Sequence, residues 1–331
     1  MTATLRVHSA GLLTTIQDLG RPGMQRYGVP ISGAMDTFAL AAANRLVGNS
    51  FDAAALEITS GGAIFELLAP TLLAVAGAHL GATLNDQPLP LWTAVLAPRG
   101  ALLRFTARHG GWGARAYLAL AGGIGAPVVL GSRSTYLPGS FGGMDGRPLR
   151  AGDQLGTGQS CADPQRLAGQ RWPEHARPPY SATPTLRMIP GPHSDCFSAD
   201  ALDQPGVTPL RVSQTSNRMG YRLEGVTLRY TRPCSLPSLG VLPGAIQVPP
   251  DGTPILLMAD AQTTGGYPII GVVIGPDLPL AAQLLPGDAL RCMPISIAAA
   301  VHARATWQAQ LATPLETDAA VAALAWAGAP A

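Results

Sequence analysis

Apolar and β-branched residues come in short runs, broken at frequent glycines and prolines, of which the chain has 39 and 31. Runs of this length bounded by turn residues read as strands. They are expected at Leu5–Val7, Ala54–Ile58, Ile64–Leu68, Leu72–Gly77, Ala101–Thr106 and Ala116–Ala121 in the first half. In the second half they are expected at Leu186–Ile189, Val226–Tyr230, Pro254–Met258, Ile269–Ile274 and Ala289–Cys292. Helical spacing is rarer. Asp36 is placed to cap "TFALAAANRLV" before Gly48, Asp277 to cap "LPLAAQLL" before Pro286-Gly287, and "SIAAAVHARATWQAQLA" predicts a helix near the C-terminus. The pattern predicts a mainly β protein with a few helices, built as barrels or sandwiches rather than as a doubly wound parallel sheet.

Residues 162–185 are polar, proline-rich and without a period, which marks a linker between an N-terminal domain over 1–161 and a C-terminal domain over 186–331 that ends in the terminal helix. A length of 331 residues supports two domains that each bury a core without metals or disulfides.

Charge adds exclusions. A net charge of +2 with no charged runs gives no nucleic-acid footprint and no membrane patch, and the N-terminus lacks the basic and apolar regions of a secretory signal, so a cytoplasmic protein is expected. All 22 basic side chains are arginine. Without lysine there is no Schiff base, no lysine general base and no phosphate-loop lysine, so cationic recognition falls to guanidinium groups. The cysteines, Cys161, Cys196, Cys234 and Cys292, have no metal-ligand spacing and are expected as reduced thiols. The six histidines show no paired spacing, no metal site is predicted, and there is no G-x-S-x-G elbow.

The chemistry-bearing residues concentrate in a few places. "LMADAQTTGGYP" sets Asp260, Gln262, Thr263, Thr264, Gly265, Gly266 and Tyr267 on a tight connection between two apolar runs. Such a corner either ties up its own backbone as a hairpin turn or cradles a carboxylate, amide or phosphate oxygen. A hairpin from Val248 to Tyr267 would bring Gln247 to the same barrel end, with Asp260 as the acid/base candidate and Gln262, Thr264 and the glycine amides as orienting groups. "SNRMGYRLEG" adds Arg218, Tyr221 and Arg222; the arginines would grip one anion from a turn and diverge from a strand. "TTIQDLGRPGMQRYGVPISGAMD" reads as a long structured loop carrying Gln17, Asp18 and Arg21, either a site or a buried turn in which arginine neutralises aspartate. In "PPDG", Asp251 serves the turn itself.

These segments, with "AYLALAGGI", "LGSRST" and "LLPGD", resemble in order and over nearly the whole chain the allophanate hydrolase subunit 2 or KipA family. That family contains the C component of bacterial 5-oxoprolinase and is similar to half of the carboxyltransferase domain of urea carboxylase. The resemblance implies two cyclophilin-like β-barrel domains and ATP-dependent opening of 5-oxoproline to glutamate. It also implies assembly with a homologous protein of the KipI or 5-oxoprolinase B type and with a third protein of the LamB or 5-oxoprolinase A type. ATP and Mg2+ are expected in that complex, with Asp260 positioning a proton or the metal ion, and the chain is expected to be inactive alone. Lacking lysine, it carries no covalent biotin. Two other roles are carried in the resemblance: a carboxyltransferase component for a urea-like substrate with a separate biotin carrier, and a KipA-like antagonist of a kinase inhibitor. His193 in "GPHSD" and Arg99 in "APRGALL" depart from the family pattern.

Overall fold

The computed structural model describes residues 2–160, 163–198, 200–232, 234 and 236–323. The chain forms two compact units: residues 1–20, 36–178 and 310–331, and residues 21–35 and 179–309. The division near residue 178 falls inside the expected linker, but two segments lie on the other side of it from where the sequence put them. Residues 21–35 belong to the second unit, and the last turn of the helix Ile297–Ala312 belongs to the first. Ala162 at the linker start and the tail 324–331 lie outside the described residues.

In the first unit, a six-stranded sheet runs in the order Gln154–Gly156, Ala3–Ala10, Ala63–Leu67, Leu102–Phe105, Ala82–Leu84, Gln87–Pro88. A five-stranded sheet runs Leu13–Gln17, Ala55–Thr59, Arg115–Leu120, Thr71–Gly77, Ala94–Ala97. Both sheets contribute to one apolar core, with Leu5, Val7 and Phe65 from the first and Ile16, Ile58 and Leu118 from the second. Thr71–Gly77 and Arg115–Leu120 are buried at every position because the helix Thr37–Leu46 covers their outer side. Asp36 caps that helix as expected, its Oδ1 accepting from the Ala39 amide at 2.9 Å.

The second unit is a closed seven-stranded barrel in the order Thr185–Pro190, Ile269–Val273, Ala245–Gln247, Ile255–Leu257, Gly220–Glu224, Leu210–Val212, Ala289–Pro294. Its first and last strands pair in parallel and close it. Period-two alternation sends Tyr221 and Leu223 into the core and leaves Arg222 and Glu224 outside. The mainly β reading therefore holds, with the closed barrel in the second unit.

Some expectations are corrected. Val226–Tyr230 is not a strand; Tyr230 alone makes a bridge, to Phe197. Leu13–Gln17, read as part of a loop, is a strand. Asp277 precedes the short helix Leu278–Ala282 without capping it, because its carboxylate is taken by the Arg187 guanidinium at 2.6 Å and 2.9 Å. Cys196 and Cys234 are joined in a disulfide with Cα atoms 6.3 Å apart, which overturns the reduced-thiol expectation for that pair. They are 38 residues apart in sequence, and the fold rather than any local spacing brings them together. Cys292 is a buried free thiol, and Cys161 lies outside the described residues.

Candidate functional site

The outward face of the barrel strands Gly220–Glu224, Ile255–Leu257 and Ala245–Gln247, rather than the barrel end expected from the sequence, holds a pocket of about 190 Å³. Gln247, Gln262, Arg222, Asn217 and Tyr267 line it over an apolar floor that includes Leu257. Gln247 ends its strand at a bulge: Ile246 pairs with Gly271, but Gln247 pairs with Ile269. Such a slip turns a side chain away from the regular pleat. The Gln247 amide is 2 % exposed; its Oε1 accepts from Gln262 Nε2 at 3.2 Å, while its own Nε2 has no hydrogen-bond partner. A buried donor left unmade costs free energy that a ligand acceptor would recover. Gly265 packs against that nitrogen so closely that a Cβ there would lie 2.5 Å from it.

The other residues of the corner build its frame. Thr264 and Gly265 pair with Gly240 and Leu239, and the Thr263 carbonyl accepts from the Val241 amide at 3.0 Å. Neither threonine nor Gly266 lines the pocket. Asp260 is 1 % exposed and sits behind it. Arg218 donates to Asp260 through Nε at 2.9 Å and Nη2 at 3.0 Å, and Ser32 Oγ donates at 2.7 Å. The same Arg218 Nη2 donates to the Gly33 carbonyl at 2.6 Å, so the pair binds the 21–35 segment to the corner. With guanidinium and hydroxyl donors on its oxygens, this carboxylate does not fit a Mg2+ ion. Among the described residues no group of three His, Cys, Asp or Glu converges for a metal.

Arg218 lies just before the strand Gly220–Glu224 and turns in to Asp260, while Arg222 on that strand is exposed, so the two arginines diverge. Arg218 is buried in the pair with Asp260, whereas the exposed Arg222 guanidinium borders the pocket and makes no ion pair among the described residues. Tyr221 points into the barrel core, its hydroxyl donating to the Leu284 carbonyl at 3.4 Å. The N-terminal candidates lie elsewhere. Gln17 and Asp18 belong to the first unit, and Asp18 accepts from the Gly20 and Arg133 amides at 2.7 Å and 2.6 Å and from the Ser132 and Ser134 hydroxyls. Arg21, 1 % exposed, belongs to the second unit.

In the sequence Asn217 stood out only as a neighbour of Arg218 in the "SNRMGYRLEG" cluster, and His193 only as a departure from the family pattern. Asn217 enters the pocket wall because its Oδ1 accepts from the Met219 amide at 2.8 Å, which fixes the entry to the Gly220 strand. His193 Nδ1 accepts from the Ile269 amide at 3.2 Å, opposite Gln247, so this departure from the family pattern sits in the frame of the site.

Residues 27–294 match the carboxyltransferase domain, subdomain A and B. The chain belongs to that family. It is 41 % identical over 303 residues to the C component of the Escherichia coli 5-oxoprolinase, covering 91 % of this chain and 94 % of that protein. It is 36 % identical to the C component of the Haemophilus influenzae 5-oxoprolinase, over 88 % of this chain and 91 % of that protein. Among solved structures, the urea amidolyase of K. lactis superimposes with a TM-score of 0.87 at 32 % identity, over 93 % of this chain. This chain spans only 20 % of that much longer enzyme.

Proposed function

We propose that this chain is the C-type component of a 5-oxoprolinase, which opens 5-oxoproline to glutamate with hydrolysis of ATP, and that it acts with KipI-type and LamB-type partners. The observation that carries the reading beyond similarity is the unpartnered, buried Gln247 Nε2 at a pocket that Arg222 borders. 5-Oxoproline presents a lactam carbonyl, a lactam N–H and a carboxylate. Gln247 Nε2 donates to the lactam oxygen, an amide oxygen of the Gln pair accepts the N–H, and Arg222 pairs with the carboxylate. Donation to the lactam oxygen also polarises the bond to be opened. Arg218 and Asp260 are positioning residues, which hold the corner behind Gln262. ATP and Mg2+ are assigned to the assembled complex, since the Asp260 site does not fit the ion.

A second reading has a specific support. The K. lactis urea amidolyase likeness extends over 93 % of the chain, and a paired-glutamine pocket also suits a urea-like substrate used with a biotin carrier on another chain. Reconstitution separates the two. With the partner proteins present, 5-oxoproline-dependent ATP hydrolysis and glutamate release require this chain. Urea-dependent turnover without glutamate release would replace the first reading by the second.

A further inference from the structure

The first unit contains a second cavity, of about 330 Å³, lined by Arg133, Asp18, Asp52, Gly122 and Val128 among others. Its floor is backbone: a Cβ at Gly122 would lie 2.2 Å from the Gly158 carbonyl oxygen, so no side chain fits between the two segments. Asp18 faces this cavity with its oxygens already taken by two amides and two hydroxyls, and it fixes the Ser132–Ser134 backbone that carries Arg133. The Arg133 guanidinium donates to the Ala126 carbonyl through Nη1, which folds the loop between them back on itself. Its other donors have no partner among the described residues, and Arg133 lines the cavity. Asp52 is an exposed carboxylate on the same lining, without an ion pair among the described residues.

A guanidinium with spare donors and a separate free carboxylate at one glycine-floored cavity are complementary to a ligand that carries both charges. A polyanion is disfavoured, because two carboxylates line the cavity against one guanidinium. The apolar rim at Val128, 58 % exposed, leaves room for an aliphatic side chain or ring. We propose that the first unit binds a zwitterionic α-amino acid, with the ligand carboxylate on Arg133 and its ammonium group on Asp52. The site is distinct from the barrel pocket of the second unit, and the proposal does not rest on the 5-oxoprolinase reading.

Isothermal titration of the full chain with L-proline and with L-glutamine tests it. At least one of them binds, and Arg133→Met and Asp52→Asn each weaken that binding about tenfold or more, the scale of one lost charge-assisted hydrogen bond. Asp52 is exposed, so Asp52→Asn keeps the test sound even where Arg133→Met fails to fold. 5-Oxoproline has the ring of proline but an uncharged nitrogen, and any affinity it shows is unchanged by Asp52→Asn. Absence of binding by both amino acids at millimolar concentration, or binding undiminished in Asp52→Asn, overturns the proposal.

Discussion

Arg218 and Asp260, 42 residues apart in sequence, meet in a two-point ion pair with both side chains buried, at 2.9 Å and 3.0 Å. Removing one partner of such a pair leaves the other charge buried and unpaired, which costs about 3–5 kcal/mol. Asp260→Ala and Arg218→Ala are each expected to lower the unfolding free energy, read from denaturant titration, by that amount, and the double variant to cost less than the sum. Asp260→Asn keeps the shape and separates positioning from proton transfer: a positioning role leaves the pH profile of turnover in place, while a general acid or base loses one limb.

The Cys196–Cys234 disulfide fixes one end of the segment whose other end, Leu239–Gly240, pairs with Gly265 and Thr264 beside the pocket. Closing a loop of 38 residues stabilises by about 2–4 kcal/mol. Reductant is expected to lower the unfolding temperature of the wild type and to leave that of Cys234→Ser unchanged. Hydrogen exchange at 239–241 and 263–265 should accelerate in the reduced protein.

Acid stability carries a signature in the first unit. Hydrogen bonds from the Arg147 guanidinium hold the Asp153 carboxyl below its ordinary value of 3.8. Because the folded-state value is the lower one, the stabilisation is complete above the ordinary value and is lost as pH falls through the depressed one. The difference in stability between wild type and Arg147→Met should therefore be constant near neutrality and shrink in strong acid.

Burial pushes the Cys292 thiol up to about 12. The thiolate is the reactive form, so Cys292 in the folded protein should resist iodoacetamide near neutral pH and be modified only after denaturation, as read by peptide mass mapping.

The strand-rich class, the Asp36-capped helix and the convergence of Gln247 with the 260–267 corner were legible in the sequence, because each rests on local periodicity or a short hairpin. The Gln247–Gln262 hydrogen bond is that convergence made concrete. What escaped depends on contacts between distant segments. The disulfide, the donation of Ser32 to Asp260 and the capture of Asp277 by Arg187 span 38, 228 and 90 residues. No spacing rule reaches that far. The divergence of Arg218 from Arg222 turned on where the strand begins: pairing with Ile255–Leu257 starts at Gly220, which leaves Arg218 outside it to meet Asp260, 42 residues away.

Gln247 gives the most direct test of the central claim. Gln247→Met removes a buried donor without a partner and also the acceptor of one hydrogen bond from the part-buried Gln262, two effects of opposite sign, so folding stability should stay within about 1 kcal/mol of the wild type. In the reconstituted complex, kcat/KM for ATP-coupled release of glutamate from 5-oxoproline should fall about 10–100-fold, the scale of one hydrogen bond to the reacting amide. Full turnover by a folded Gln247→Met complex would contradict the assignment of the pocket to the substrate.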